Sequence, residues 1–226
     1  MTDKGCKHQP MKAIEELLDL ILPTRCALCG ALGAALCGAC LENFDFHERA
    51  VTRDHLIGAA ATSFGAKEQR VLQAFKENGQ TALVGVLAGP LVVLLSRMLE
   101  NAEKPLLVPV PSSRENYKKR GYMPTKLIAR RLCRESGQAC GLTDSLTFQR
   151  KVADQAHLNS QARRANLVGS MVSDSRVLGR QVILFDDIVT TGSTMLESAR
   201  AVTMAGGKVI GFLAFAETIL KTRSKS

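Results

Sequence analysis

Apolar positions are grouped along this chain in a way that separates helices from strands. Lys12–Leu22 sets Ala13, Ile14, Leu17, Leu18, Leu20, Ile21 and Leu22 at helical spacing and is closed by Pro23, which predicts a short helix. The longest uncharged run is Asn78–Ser96, whose apolar part, Ala82–Leu95, is 14 residues long with Gly85, Gly89 and Pro90 inside it. A bilayer span needs about 20 apolar residues, so this run reads as a buried helix kinked at its proline. Val182–Phe185 is continuously apolar, as in a strand buried on both faces of a parallel sheet. Met195–Ala205 returns to helical spacing and stops before Gly206 and Gly207, and Val209–Ala216 is a second apolar strand. Together these segments predict a strand–loop–helix–strand unit whose loop lies at the carboxyl edge of the sheet, where open α/β folds bind ligands. Glu48–His55 is polar and reads as a linker, dividing the chain into a module at 1–55 and a main domain at 56–226.

Composition narrows the function classes. An apolar share of 46% over 226 residues supports a packed core and excludes a disordered chain. Aromatics make up only 4% and Trp is absent, which argues against a surface built on base stacking. Charged residues recur through Met1–Glu16 with no apolar stretch of the secretory kind, so a cytoplasmic location without a membrane span is expected. The net charge of +9 is concentrated: Arg114–Arg134 carries +7 and Gln149–Gln181 carries +4, so the rest sums to −2. Such segments form solvated faces or attract an anion, either a phosphorylated small molecule or a nucleic acid backbone.

Of the seven cysteines, Cys26, Cys29, Cys37 and Cys40 form two CxxC pairs. Each pair makes a knuckle that aims two thiolates at one point, and two facing knuckles complete a tetrahedral site. In a cytosolic protein this pattern reads as structural zinc rather than disulfides, with a redox role as the alternative, and four protein ligands leave no open position for catalysis. Gly30 and Gly38 supply permissive backbone at the knuckles. Cys133 and Cys140 flank a predicted helix end and read as buried thiols, while Cys6 and His8 lie in a polar tail and are not taken as ligands.

The strongest chemical signal follows the first apolar strand. Asp186 and Asp187 sit at its end, and Thr190, Thr191, Gly192, Ser193 and Thr194 open the helix. Gly192 permits a tight turn that converges backbone N–H groups on an anion, the helix N-terminus adds its positive dipole end, and the hydroxyls add donors. The nucleotide P-loop pattern GxxxxGK[ST] is missing. The two carboxylates would repel a second phosphate, so they suit hydroxyls or a cation. A sugar phosphate meets both demands.

Val182–Thr194 resembles the signature by which type I phosphoribosyltransferases bind 5-phosphoribose 1-diphosphate (PRPP). Combined with the four-cysteine knuckles, the chain resembles the ComF family of competence-associated, phosphoribosyltransferase-like proteins. Val108–Pro111 with Tyr117–Tyr122, Gln155–Leu158 with Arg163, Arg164 and Asn166, and Ser63–Lys76 also fit that family. The resemblance implies a type I phosphoribosyltransferase-like α/β fold, a parallel sheet with helices on both faces, behind a small zinc module. It implies that Asp186 and Asp187 hold the ribose hydroxyls and that Thr190–Thr194 cradle the 5′-phosphate. Ser112 and Ser113 resemble the pyrophosphate loop, with Lys119 and Arg120 as pyrophosphate neighbours, and Mg²⁺ would bind through PRPP oxygens and waters. Two positions depart from the family pattern: Met123 stands where Asn is usual, and Ala162 where an acid is common.

The implied reaction is attack on ribose C1 with loss of pyrophosphate, and the polar, basic segment Gln149–Leu167 would be its closing lid. No catalytic base is assigned, His157 being the only histidine near a site segment. The resemblance equally implies a role in DNA uptake, with single-stranded DNA and a competence helicase as partners, or a PRPP sensor without turnover.

Overall fold

The computed structural model describes residues 24–100, 102–137, 139–152 and 166–219, and the chain parts into two compact units, Met1–Phe44 and Asp45–Ser226. The predicted helix Lys12–Leu22, the segment from Gln155 to Arg164, and Cys6, His8, His157 and Ala162 lie outside the described residues.

In the smaller unit the first knuckle turns back on itself through backbone bonds from Cys26 N–H to Ala31 O (2.8 Å), Gly30 N–H to Cys26 O (2.9 Å) and Ala27 N–H to Ala35 O (2.9 Å). The second knuckle enters a single helical turn, α1 (Gly38–Glu42). Gly30 has φ +78°, a left-handed conformation that a side chain resists. Gly38 does not share it; it begins α1, and Gly33 (φ +101°) makes the second such turn.

The larger unit is built on a six-stranded sheet in the order β1-β2-β8-β7-β3-β4. Its strands are β1 (Arg49–Arg53), β2 (Leu56–Ser63), β3 (Leu106–Pro109), β4 (Gly141–Leu142), β7 (Gln181–Val189) and β8 (Lys208–Glu217). A separate antiparallel pair, β5 (Leu146–Phe148) and β6 (Met171–Ser173), stands apart from it. The sheet is parallel from β2 to β4, with β1 added antiparallel at the edge, so it is mixed rather than wholly parallel. The expected linker Glu48–His55 is this edge hairpin; Val51 alternates inward and is 1% exposed, a half-buried pattern hidden among polar neighbours.

β7 is central, hydrogen-bonded to β8 and β3 on its two sides, and its residues Val182–Phe185 are all buried. Val182 and Leu184 face one side with Val108, Phe212 and Ala214, under helix α6 (Ser193–Met204) through Met195, Ala199 and Val202. The alternate residues Leu107, Ile183, Leu213 and Phe215 are equally buried. Helices α3 (Val84–Leu99) and α5 (Pro124–Glu135) pack on each other and on the sheet. In α3 the buried Leu87, Leu91, Leu94 and Leu95 recur at three to four residues, the stripe of a core helix. By length and composition alone, Thr81–Leu99 would also suffice to cross a membrane.

Helices α2 (Ala66–Lys76) and α4 (Arg114–Arg120) complete the unit's α-helices among the described residues. α4 is capped by the Ser113 hydroxyl, which accepts from Asn116 N–H (3.2 Å), and ends at left-handed Gly121. Met123 makes no side-chain cap at the start of α5, where Pro124 supplies a preset φ and lacks the N–H that would need capping. At the far end of α5, Cys133 and buried Cys140 bring their Sγ atoms within 3.0 Å.

Candidate functional site

The carboxyl ends of β3 and β7 open into a cleft of about 430 Å³ whose lining includes Ser112, Ser113, Arg120, Asp186, Asp187 and Thr194. β7 delivers the two acids within its last four residues: it stays paired with β8 through Asp186, Ile188 and buried Val189, so the pair sits on the strand just before its carboxyl end. Asp187 is 7% exposed, and its N–H donates to Asp186 Oδ1 at 2.8 Å. Burial pushes the Asp186 carboxyl well above the usual carboxylate range, the neighbouring Asp187 adds like charge, and Lys76 opposes both.

Lys76, at the end of α2, forms an ion pair with Asp187 Oδ2. Sequence reasoning gave Lys76 no role; the segment Ser63–Lys76 carried only a family likeness. A helix whose last residue is basic gives no sign from spacing alone that its amine reaches an acid on a strand far along the chain.

After β7 the chain turns through Thr190, Thr191 and Gly192 into α6. Gly192 is the N-cap residue with φ +80° and, having no side chain, offers the first turn of α6 no cap of its own; the Ser193 N–H points at Thr191 Oγ1 (3.4 Å) instead. The Thr191 and Ser193 hydroxyls bond to each other at 2.9 Å. This is an anion-receptive terminus: first-turn N–H groups held only by a long local contact, a positive dipole end and two hydroxyls that could re-aim at a ligand.

The basic candidates separate. Arg120 lines the cleft and is anchored by Glu77, while its Nε is buried without a hydrogen-bond partner. Lys119 turns away to Glu77 Oε2 (2.7 Å) with its side chain 71% exposed, and it is not among the residues lining the cleft. Both side chains thus meet Glu77, one at each carboxylate oxygen, and Arg120 is the one that also lines the cleft.

Beside this cleft is a second hollow of about 350 Å³ lined by Arg114, Lys118, Arg150 and Lys151, with Ser113, Glu115, Phe148 and Val152 common to both. Lys151 pairs with Glu115 at 2.6 Å, and Arg150 donates to the carbonyls of Asn166 and Val168 at 2.8 and 3.0 Å. Gln149–Val152, the described start of the expected lid, therefore forms a wall of this hollow.

In the smaller unit Cys26, Cys29, Cys37 and Cys40 bring their sulfurs within 4.8 Å of one another. Four thiolates at about 2.3 Å from a tetrahedral zinc lie about 3.8 Å apart, and the Cys29–Cys37 sulfurs are 3.6 Å apart. Cys37 N–H also points at Cys26 Sγ (3.5 Å), the backbone donation that steadies a thiolate ligand. The donor set, spacing and closed count fit structural zinc.

Comparison with known proteins matches both units. Residues 117–225 match the phosphoribosyl transferase domain, and residues 17–52 match the double zinc ribbon domain. The DNA utilization protein YhgH of Salmonella typhimurium is 25% identical over 189 residues, 82% of this chain and 79% of that protein. YhgH of Escherichia coli strain K12 is also 25% identical, over 85% of this chain and 82% of its own. Among solved structures, an adenine phosphoribosyltransferase is similar over 78% of this chain and 88% of that one, with 12% identity and a TM-score of 0.42. The acid pair, the loop and Arg120 lie inside the matched domain; Ser112, Ser113 and Lys76 precede it.

Proposed function

We propose that this chain, which belongs to the ComF family of phosphoribosyltransferase-like proteins with an N-terminal four-cysteine zinc module, binds PRPP in the cleft at the carboxyl edge of its sheet. One arrangement carries the reading. An acid pair and a glycine-capped helix terminus, separated only by a short turn, share an edge of the sheet with Ser112, Ser113 and Arg120. The loop Thr190–Thr194 takes the 5′-phosphate, Asp186 and Asp187 take the ribose hydroxyls, and Ser112, Ser113 and Arg120 take the diphosphate. Arg120 suits this role because its buried Nε lacks a partner.

Lys76 is the counter-ion of the acid pair. Its ammonium neutralises the Asp187 charge while the cleft is open to water, and a ribose hydroxyl would share that carboxylate with it. The raised pKa of Asp186 lets that carboxyl carry a proton and act as donor or acceptor. Mg²⁺ fits the same donor set, hard carboxylate oxygens beside a diphosphate. It would neutralise diphosphate charge, held mainly by ligand oxygens and water with Asp186 or Asp187 at its edge.

In the transfer reaction the C1–O bond to pyrophosphate breaks, its electron pair leaves with the pyrophosphate, and an acceptor lone pair forms the new bond to C1. The ribose carries oxocarbenium-like charge between the two events. The chain's part is to fix the ribose, stabilise the leaving group through Arg120 and exclude water. The attacking atom belongs to the acceptor. The adjoining hollow is on the acceptor side of this scheme, and its four basic residues favour an anionic acceptor.

Calorimetric titration of PRPP with Mg²⁺ into the zinc-loaded chain tests the reading, with ribose 5-phosphate alongside. Saturable binding of both, tighter for PRPP, is expected; no binding of either to the folded protein refutes it. A second reading rests on the basic hollow and on the relatives' name: the hollow holds single-stranded DNA in a cytoplasmic DNA-uptake role, with or without turnover of PRPP. A steep fall of DNA affinity with salt would support it.

A further inference from the structure

We propose that Arg53, clamped by Glu217, is a positioning residue that fixes the shape of the phosphate loop; the proposal rests on the reading of Thr190–Thr194 as a 5′-phosphate site. Arg53 ends the edge strand β1 and is 7% exposed, an arginine taken almost wholly out of water. Such burial is costly unless the donors are all met. Here Nε donates to Thr190 O at 2.7 Å, Nη2 to Glu217 Oε2 and Thr218 O at 2.9 Å each, and Nη1 to Thr52 O at 3.1 Å. Glu217, 6% exposed at the end of β8, also accepts from Arg49 Nε at 2.5 Å.

Two contacts make this a device acting on the loop. In a trans peptide the carbonyl and the following N–H point opposite ways. Holding Thr190 O toward Arg53 therefore turns the Thr191 N–H to the other side of the loop, the orientation an anion requires. The arginine's aliphatic stem also lies directly against Gly192: a Cβ there would come within 2.5 Å of Arg53 Cβ and 2.7 Å of Cγ. The left-handed turn that exposes the α6 terminus is thus held from below by the stem and from the side by the guanidinium. Two arginines on one glutamate also leave a net positive charge beneath the loop, which favours a phosphate above it.

The test titrates ribose 5-phosphate and Mg²⁺–pyrophosphate separately into the zinc-loaded full chain and into Arg53→Met, Arg53→Lys and Glu217→Gln. Met keeps the stem against Gly192 and removes every hydrogen bond. Arg53→Met should weaken ribose 5-phosphate about tenfold or more while pyrophosphate stays within about twofold. Arg53→Lys should recover part of the loss, and Glu217→Gln should show a smaller loss confined to the same ligand. Unchanged ribose 5-phosphate affinity, or equal weakening of both ligands, overturns the positioning role. Failure of the unaltered chain to bind ribose 5-phosphate overturns the phosphate-site reading itself, and this proposal with it. If Arg53→Met does not fold, Glu217→Gln carries the test with the same outcomes.

Discussion

The two units of this chain reach a fixed shape by different means. Among the described residues of the smaller unit the buried apolar side chains are Cys26, Ala35, Leu36 and Phe44, far too few to offset the entropy of ordering the segment. Its knuckles converge on four sulfurs instead, so its folding energy is metal-binding energy. The larger unit buries Phe75, Phe185, Phe212, Phe215 and a set of leucines on both faces of a sheet, and needs no metal to close its core. A chain that combines the two should come apart in two steps with separate triggers.

Metal removal should have the largest effect. Chelation, or Cys29→Ser, should release about one zinc per chain and unfold the smaller unit, since structural zinc contributes about 10–16 kcal/mol of apparent binding energy at neutral pH. Hydrogen exchange should rise over residues 24–44 while the sheet stays protected. Loss of protection across β7 and β8 as well would show that the units do not fold separately. The converse perturbation is Phe185→Ala, at a fully buried position on the central strand. It should destabilise the larger unit by about 3–5 kcal/mol without releasing zinc, as read by denaturant melts with metal analysis.

Asp187→Asn probes the site rather than either core. It removes the charge that Lys76 pairs with and that the ribose hydroxyl would meet. PRPP affinity should fall about 10- to 100-fold with zinc content unchanged, and equal affinity in the variant would remove the ribose assignment.

The comparison also explains what could be read in the sequence. The cysteine knuckles and the strand–loop–helix are local: ligands and hydroxyls fall at fixed short spacings, so their chemistry is visible in a linear chain. Arg53, Lys76 and Glu217 are not local. Each gains its role from pairing across the sheet, between β1 and β8 or from the end of α2 to β7, and no periodicity announces such a meeting. β1 is hidden for the same reason: Arg49–Arg53 buries a single apolar side chain, Val51, between arginines at its two ends, and only pairing with β2 makes it a strand. Lys119 and Arg120 are adjacent in sequence and share Glu77, but only Arg120 lines the cleft, a distinction that adjacency cannot carry.

The smallest effect sharpens the contrast between buried and exposed charge. Glu77 accepts from Lys119 and is paired with Arg120 at the rim of the cleft, its side chain about a third exposed. Lys119 first, then Arg120, hold its carboxyl below the usual carboxylate range. A carboxyl with a depressed pKa stabilises the fold above its unfolded pKa, and that contribution disappears as pH falls through the folded value. Because Glu77 and its first partner Lys119 both reach water, their pairing should be worth less than about 1 kcal/mol. Glu77→Gln should therefore melt slightly below the unaltered chain at pH 7, with the difference vanishing in acid. Zinc content should not change, and Arg120, released from its anchor, should bind Mg²⁺–pyrophosphate at least as tightly as before. A large loss of pyrophosphate affinity would instead mean that Glu77 aims Arg120 into the cleft, making this part-buried pair as much a part of the site as the clamp of Arg53 and Glu217 at the phosphate loop.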